Sequence, residues 1–292
     1  MYDVVVVGAS VAGCATAVHF GRAGLRVALL ERNRSMAAYK ALCGHYVLGG
    51  ARPALERLGI WDAMVRASAP TSVPSIWTGH GWAVPPASTP TAISLRRAVL
   101  DPMLRELAGA TPGVDLLLGH TVTGLVEEDG QVAGVLATTH AGTEVELRGQ
   151  LVVGADGHRS RVAHLAHADE DVAENARFLY WGYYDGVRLR SPGSAAVWFV
   201  DPDVAVAVPT DGDRMLLGAF PVKARLDEFE GDRLGALERF FAALPDGPDL
   251  QGATAVSKAI GTSDYAMVRR APAPRSRLAL VGDAATTSDP VP

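Results

Sequence analysis

The chain opens on a sharp change of period. Val4–Val7 is an unbroken run of β-branched residues, the pattern of a strand covered on both faces, as in a parallel sheet. From Val11, "VAGCATAVHFGRAG" places small and apolar residues at helical spacing and closes on Gly24 as a C-cap. "LRVALLE" follows as a second apolar strand with Glu31 at its end. "RRAVLDPMLRELAGA" predicts an amphipathic helix. From Val114 to Val153, short β-like runs alternate with turns, and "EEDGQ" marks a hairpin by its Asp-Gly pair. Beyond Asn175 come the strand-like runs "FLYWGYYDGVRL", "AAVWFV", "VAVAVPT" and "RMLLGAF", then a helix, "LGALERFFAAL". Two further runs, "TAVSKAIG" and "YAMVRR", and the apolar "LALVG" complete the chain's ordered pattern.

Strand, glycine turn, helix and second strand in that order form a dinucleotide-binding fingerprint. Gly8, Ser10 and Gly13 stand at the spacing G-x-S-x-x-G directly after the first strand. Gly8 permits the tight turn, the middle position lets backbone approach a pyrophosphate, and Gly13 lets helix and sheet pack closely. The helix N-terminus offers N–H groups and the positive end of its dipole to phosphate. Ser10 replaces the usual middle glycine; it is small, and its hydroxyl can donate to phosphate. Glu31 is placed to take two ribose hydroxyls and disfavours a 2′-phosphate, so FAD or NAD suits this site better than NADP.

Composition narrows the class. With 292 residues and 48% hydrophobic content, a sizeable core is expected in one large domain or two modest ones. Net charge is -5 and the basic residues are scattered, which argues against nucleic acid as a partner. Two cysteines, Cys14 and Cys43, make neither a disulfide framework nor a zinc-ligand spacing, so a reducing, cytoplasmic setting is expected and no metal site is. No apolar stretch reaches membrane-spanning length. A soluble protein without membrane contact is expected.

Two later stretches separate FAD from NAD. "LVVGADGHRSRV" (Leu151–Val162) is a strand, a Gly-Ala-Asp-Gly turn and a helix start; "LALVGDAA" (Leu278–Ala285) is a strand ending in Gly-Asp. With the N-terminal fingerprint, in this order and at this spacing, they resemble the class A flavin-dependent monooxygenases, the para-hydroxybenzoate hydroxylase-like family. The resemblance spans the chain. It implies an α/β fold: a Rossmann-like FAD-binding domain, βαβ with a parallel sheet and a β-meander, carrying an inserted mixed β-sheet substrate domain. The FAD-binding domain would be discontinuous, at 1–60, 92–174 and 271–292, and the substrate domain would take 61–91 and 175–270.

Site residues follow from the resemblance, position by position. It places Gly8, Ser10 and Gly13 at the FAD pyrophosphate, Glu31 at the adenosine ribose and Arg32 over the adenine end. Lys40 and Arg97 would be basic residues near the phosphates, with Arg96 the alternative to Arg97 one position away. Val122 would read the adenine edge through its backbone. Asp156 would serve FAD and a transient NAD(P)H, or simply cap the helix that begins near Ser160. Asp283 would bind the ribityl chain and Pro290 would lie beside the isoalloxazine ring. With no second dinucleotide fingerprint, NAD(P)H would bind only in passing.

The implied reaction is hydroxylation or epoxidation of an aromatic or polyketide-like small molecule with NAD(P)H and O2. His45, in "KALCGHYVLGG", is the candidate catalytic base because the resemblance implies that this segment runs from the adenine side toward the ring, and histidine titrates near neutrality; a structural hydrogen bond is its other reading. Trp77, Trp82, Trp181 and Trp198 fall in the inserts, where they would line a pocket for a flat or polycyclic substrate or simply pack the sheet. "KALCGH" also resembles the Lys-x-x-Cys-Gly stretch of geranylgeranyl reductase-like flavoproteins. Halogenases share the fold, though their W-x-W-x-I-P stretch has no good match here. A fold retained without redox turnover is the remaining reading. In the family, a glycine-rich turn and a long helix follow the proline matched by Pro290, so a longer natural protein is expected. Glu31→Ala is expected to weaken FAD binding more than it disturbs the fold.

Overall fold

The computed structural model describes residues 1–43, 46–67, 70–272 and 276–289. They form two compact units. The first contains Met1–Lys40, Ala98–Glu174 and Ala266–Asp289; the second contains Ala41–Arg97 and Asn175–Tyr265. Residues 41–60 and 92–97, expected in the FAD-binding part, lie in the second unit, and 266–270, expected in the substrate part, lie in the first.

The first unit is built on β1 (Tyr2–Val7), α1 (Val11–Arg22) and β2 (Val27–Glu31). β1 and β2 run parallel, and Val4–Val7 and all of β2 are buried, as unbroken apolar runs require. α2 (Arg97–Gly109) then leads to β3 (Val114–Leu118), which pairs parallel with β2. β4 (His120–Glu128), β5 (Gln131–Thr139) and β6 (Glu144–Gly154) make the expected antiparallel meander. Its hairpin turns at Asp129 and Gly130, both at positive φ (51° and 72°), as a two-residue Asp-Gly loop demands.

β6 does two jobs along its length. Its first half pairs antiparallel with β5, and from Gly149 to Gly154 it runs parallel to β1. α3 (Arg161–Leu165) follows β6. A small antiparallel sheet joins β7 (Asp169–Ala173), β8 (Met267–Ala271) and β10 (Thr286–Thr287). Between the last two, β9 (Leu278–Leu280) adds parallel to β6. β3, β2, β1, β6 and β9 are therefore parallel neighbours, and the strand order ends at β3 on one side and at β4, the last strand of the meander side, on the other.

The second unit is a mixed eight-stranded sheet, antiparallel except where Ala195–Val200 runs parallel to Pro74–Thr78. A helix, Arg233–Ala242, has Ala236, Leu237, Phe240 and Phe241 buried in the same cluster as Phe178, Tyr180, Tyr184 and Trp198 from the sheet. Leu179, Trp181 and Tyr183 alternate to a second cluster with Val208 and Leu216. The tryptophans take the second of their two expected roles and pack the sheet. Trp77 and Trp82 pack with fully buried Trp198 on the helix-side core, Trp82 edge-on to Trp198 at 5.5 Å. Only Trp181 belongs to the other cluster. Among the described residues no helix is long and apolar enough to cross a membrane.

Candidate functional site

β1, β2, β6 and β9 run in one direction, so the turns that leave them emerge at one edge of the sheet. Gly8, Asp156 and Asp283 lie in those turns, and Glu31 is the last residue of β2. Ligands of open α/β sheets bind outside the carboxyl ends of such strands.

The glycine turn is set by close packing. Gly8 has φ +103°, and a Cβ there would lie 2.5 Å from the Ala155 carbonyl oxygen. A Cβ on Gly13 would lie 1.8 Å from the Gly8 carbonyl oxygen and 3.2 Å from the Ala155 methyl. The first turn of α1 is thus pressed onto the loop that opens it. Ser10 sits at the N-cap without a side-chain capping bond; its Oγ lies 3.5 Å from Asp101 Oδ1.

Glu31 is only 7% exposed. Its Oε2 accepts from the Ala9 amide (3.0 Å), and its Oε1 accepts from the Asn33 amide (2.9 Å) and Nδ2 (2.6 Å). A carboxylate offers about four acceptor positions. Three are used by the chain itself, leaving one for a ligand rather than the two expected, so Glu31 also ties the glycine turn to the end of β2. Arg32, next along, is exposed.

Asp156 does cap the following helix. Its Oδ1 accepts from Ser160 Oγ (2.6 Å) and its Oδ2 from the Val162 amide (3.0 Å), while Ser160 Oγ accepts from the Ala163 amide (3.0 Å). His158 Nε2 lies 3.2 Å from the Ala266 carbonyl oxygen within the same unit. Val122 is buried in the meander core on edge strand β4.

Asp283 lies in the turn after β9. A Cβ on neighbouring Gly282 would stand 2.8 Å from the Ala12 methyl, so this turn rests on the first turn of α1. Lys40 Nζ pairs with Asp283 Oδ2 at 2.5 Å. The resemblance assigns these two to different parts of the cofactor; the structure brings them together. Both are close to half exposed, and an exposed pair of this kind is worth about 1 kcal/mol or less. A phosphate can therefore draw Lys40 away at small cost.

The two neighbouring arginines, both in the second unit, differ in burial. Arg97 is buried at the start of α2. Arg96 is half-buried, and its amide and Nε donate to Asp211 Oδ1 and Oδ2, each at 2.8 Å. Burial alone pushes the Asp211 carboxyl up, but the Arg96 hydrogen bonds and charge outweigh it and hold the group below its usual value of 3.8. A depressed carboxyl stabilises the fold above its unfolded value and loses that contribution as pH falls through the folded one. Asp211→Asn should lower unfolding free energy by about 2 kcal/mol at neutral pH, with the gap from the parent closing below about pH 4. Denaturant titrations at neutral and acid pH measure it; a gap of equal size at both excludes this role.

Asp101 and Arg105 are the residues the sequence reading missed. Arg97, Asp101 and Arg105 form an i, i+4, i+8 row on α2, beside the apolar row Leu100, Leu104, Ala108, and all six are buried. That adjacency was the available signal: a charged row next to the apolar stripe of an amphipathic helix is carried inward with it. His45 and Pro290 lie outside the described residues.

These residues fit FAD. The glycine turn leaves backbone bare where a pyrophosphate needs it, α1 supplies a twelve-residue helix N-terminus, Lys40 supplies a cation and Glu31 keeps an acceptor position. Among the described residues no group of three or more His, Cys, Asp or Glu could hold a metal ion.

A sequence model of a family described as "FAD binding domain" matches residues 1–291. Digeranylgeranylglycerophospholipid reductase 1 of Methanococcoides burtonii is 32% identical over 186 residues, covering 62% of this chain and 45% of the relative. The 6-methylpretetramide 4-monooxygenase of Streptomyces rimosus is 34% identical over 179 residues, covering 59% and 42%. The chain thus matches less than half the length of these two. The structure of the myxobacterial chondrochloren halogenase superposes with a TM-score of 0.84 at 24% identity, covering 99% of this chain and 70% of that one, a likeness of fold.

Proposed function

This chain belongs to the FAD binding domain family, and from that premise we propose that it serves an FAD-dependent monooxygenase that hydroxylates or epoxidises an aromatic or polyketide-like small molecule. The observation that carries the reading is the convergence of Gly8, Glu31, Asp156 and Asp283 at the carboxyl ends of four parallel strands. The relative that acts as a monooxygenase supports it. Bound FAD would carry electrons from NAD(P)H to dioxygen, one atom of which enters the product.

The chain's own residues bind and orient. The α1 N-terminus, with Ser10, Lys40 and Arg97, would hold the pyrophosphate, as helix dipole and cation both favour phosphate. Glu31 would accept from one ribose hydroxyl through its remaining position. Asp283, released by Lys40, would accept from the ribityl hydroxyls. Asp156 contributes through the turn it caps. Arg32 at the adenine, Val122 at the adenine edge, Pro290 beside the ring and His45 as base complete the proposed set.

Labelled oxygen gas tests the reaction: one labelled atom is expected in the product, with NAD(P)H consumed in step. The 32% identical reductase supports a second reading, reduction of a double bond. A saturated product without labelled oxygen would decide for it.

A further inference from the structure

We infer that Asp101 and Arg105 are positioning residues for FAD, acting through Lys40. The two side chains are 0% and 2% exposed, one turn apart on α2. Charged groups so deeply buried are retained at a desolvation cost, so what they hold matters. Both hold the same piece of main chain. Asp101 Oδ2 accepts from the Lys40 amide at 2.9 Å. Arg105 Nη1 donates to the Met36 carbonyl oxygen at 2.8 Å and also to that of Ala38. Residues 36–40 belong to no helix or strand, so these bonds replace the ladder partners that regular structure would have provided.

The consequence is directional. Asp101 reaches the Lys40 amide with one oxygen and approaches Ser10 Oγ at 3.5 Å with the other. One carboxylate thus sets the residue that opens α1 beside the segment that bears the basic side chain. Lys40 Nζ then falls on Asp283, 243 positions away in sequence. Three turns, after β1, β2 and β9, are held in register by two side chains of a helix that carries no glycine turn of its own. Neither Asp101 nor Arg105 needs to touch FAD; they hold a cation where phosphate can take it, which lowers the ordering cost of binding.

The inference rests on FAD binding at this site and not on the identity of the substrate. The test is a double-mutant cycle on FAD affinity, read by flavin fluorescence quenching with the 292-residue chain. Lys40→Met and Asp101→Ala should each raise the dissociation constant about tenfold. The double variant should bind about as weakly as the weaker single, because Asp101 acts through Lys40. Each variant's unfolding midpoint is measured alongside. If Asp101→Ala does not fold, Arg105→Lys, which can reach one carbonyl instead of two, should raise the constant several-fold in a folded chain. Losses that multiply in the double variant, or a folded Asp101→Ala or Arg105→Lys with parental affinity, overturn the inference. A parent chain that binds no FAD would instead defeat the cofactor reading beneath it.

Discussion

Gly13→Ala is expected to yield a chain that is strongly destabilised and that retains no flavin. The added methyl would be built 1.8 Å from the Gly8 carbonyl oxygen, with Gly8's carbonyl carbon at 3.0 Å and the Ala155 methyl at 3.2 Å. Two of those three neighbours are backbone, so no rotamer change relieves the contact. Either α1 moves off the sheet or the Gly8 turn deforms. Gly8 itself is at φ +103° against the Ala155 carbonyl, which leaves the turn little freedom to yield. Overpacking of well-packed interiors costs 1–3 kcal/mol, occasionally more, and a methyl against a rigid carbonyl belongs at the upper end, about 3 kcal/mol. α1 also supplies the phosphate-facing N–H groups, so any displacement that rescues the fold spoils the cradle. Denaturant unfolding and the flavin content of purified protein measure the two effects. A Gly13→Ala chain with parental stability and full flavin would show that α1 is not seated as described.

Glu31→Ala should lose both affinity and stability. The sequence reading expects mainly a loss of cofactor, because a terminal acid after a second strand is a ribose ligand by pattern. The structure adds three internal donors: the Ala9 amide, the Asn33 amide and the Asn33 side chain. Losing a charge-assisted contact to a ribose hydroxyl costs about 1.5–3 kcal/mol, roughly ten- to a hundredfold in affinity. Leaving the buried Ala9 amide unsatisfied costs about 1–3 kcal/mol of stability by itself. Flavin titration and the unfolding midpoint should therefore shift together. Glu31→Gln is the sharper variant. It keeps one acceptor oxygen but turns an NH2 toward donors, so it should fall between parent and Glu31→Ala in both measurements. An unchanged FAD dissociation constant with a lowered midpoint would assign Glu31 to the loop alone.

The elements and their types were legible because they rest on local rules. Four β-branched residues running into a glycine favour a buried strand by local preference. Asp129-Gly130 closes a two-residue hairpin because both positions tolerate positive φ. The G-x-S-x-x-G spacing located a turn that the packing of Gly13 on Gly8 then required. Even the capping reading of Asp156 was local, since Ser160 and Val162 lie within six residues of it.

What pattern did not reveal is which distant groups meet. Lys40 and Asp283 were each assigned to the cofactor, but nothing in a spacing of 243 residues says that they pair. Asp101 and Arg105 lie on a helix that the sequence marks only as amphipathic, and packing turns them inward onto residues 36–40. Alternation along Leu179–Asp185 separates the two faces of a strand but does not say which one a helix will cover. That choice put Trp77, Trp82 and Trp198 together in one core and Trp181 in the other. Sequence alone determined the βαβ unit and the strands of the meander, because periodicity and turn chemistry act between near neighbours, while FAD was implied by the family resemblance. The partners of buried charges and the face each aromatic takes were decided only by the tertiary structure, because they depend on which surfaces are brought together in space.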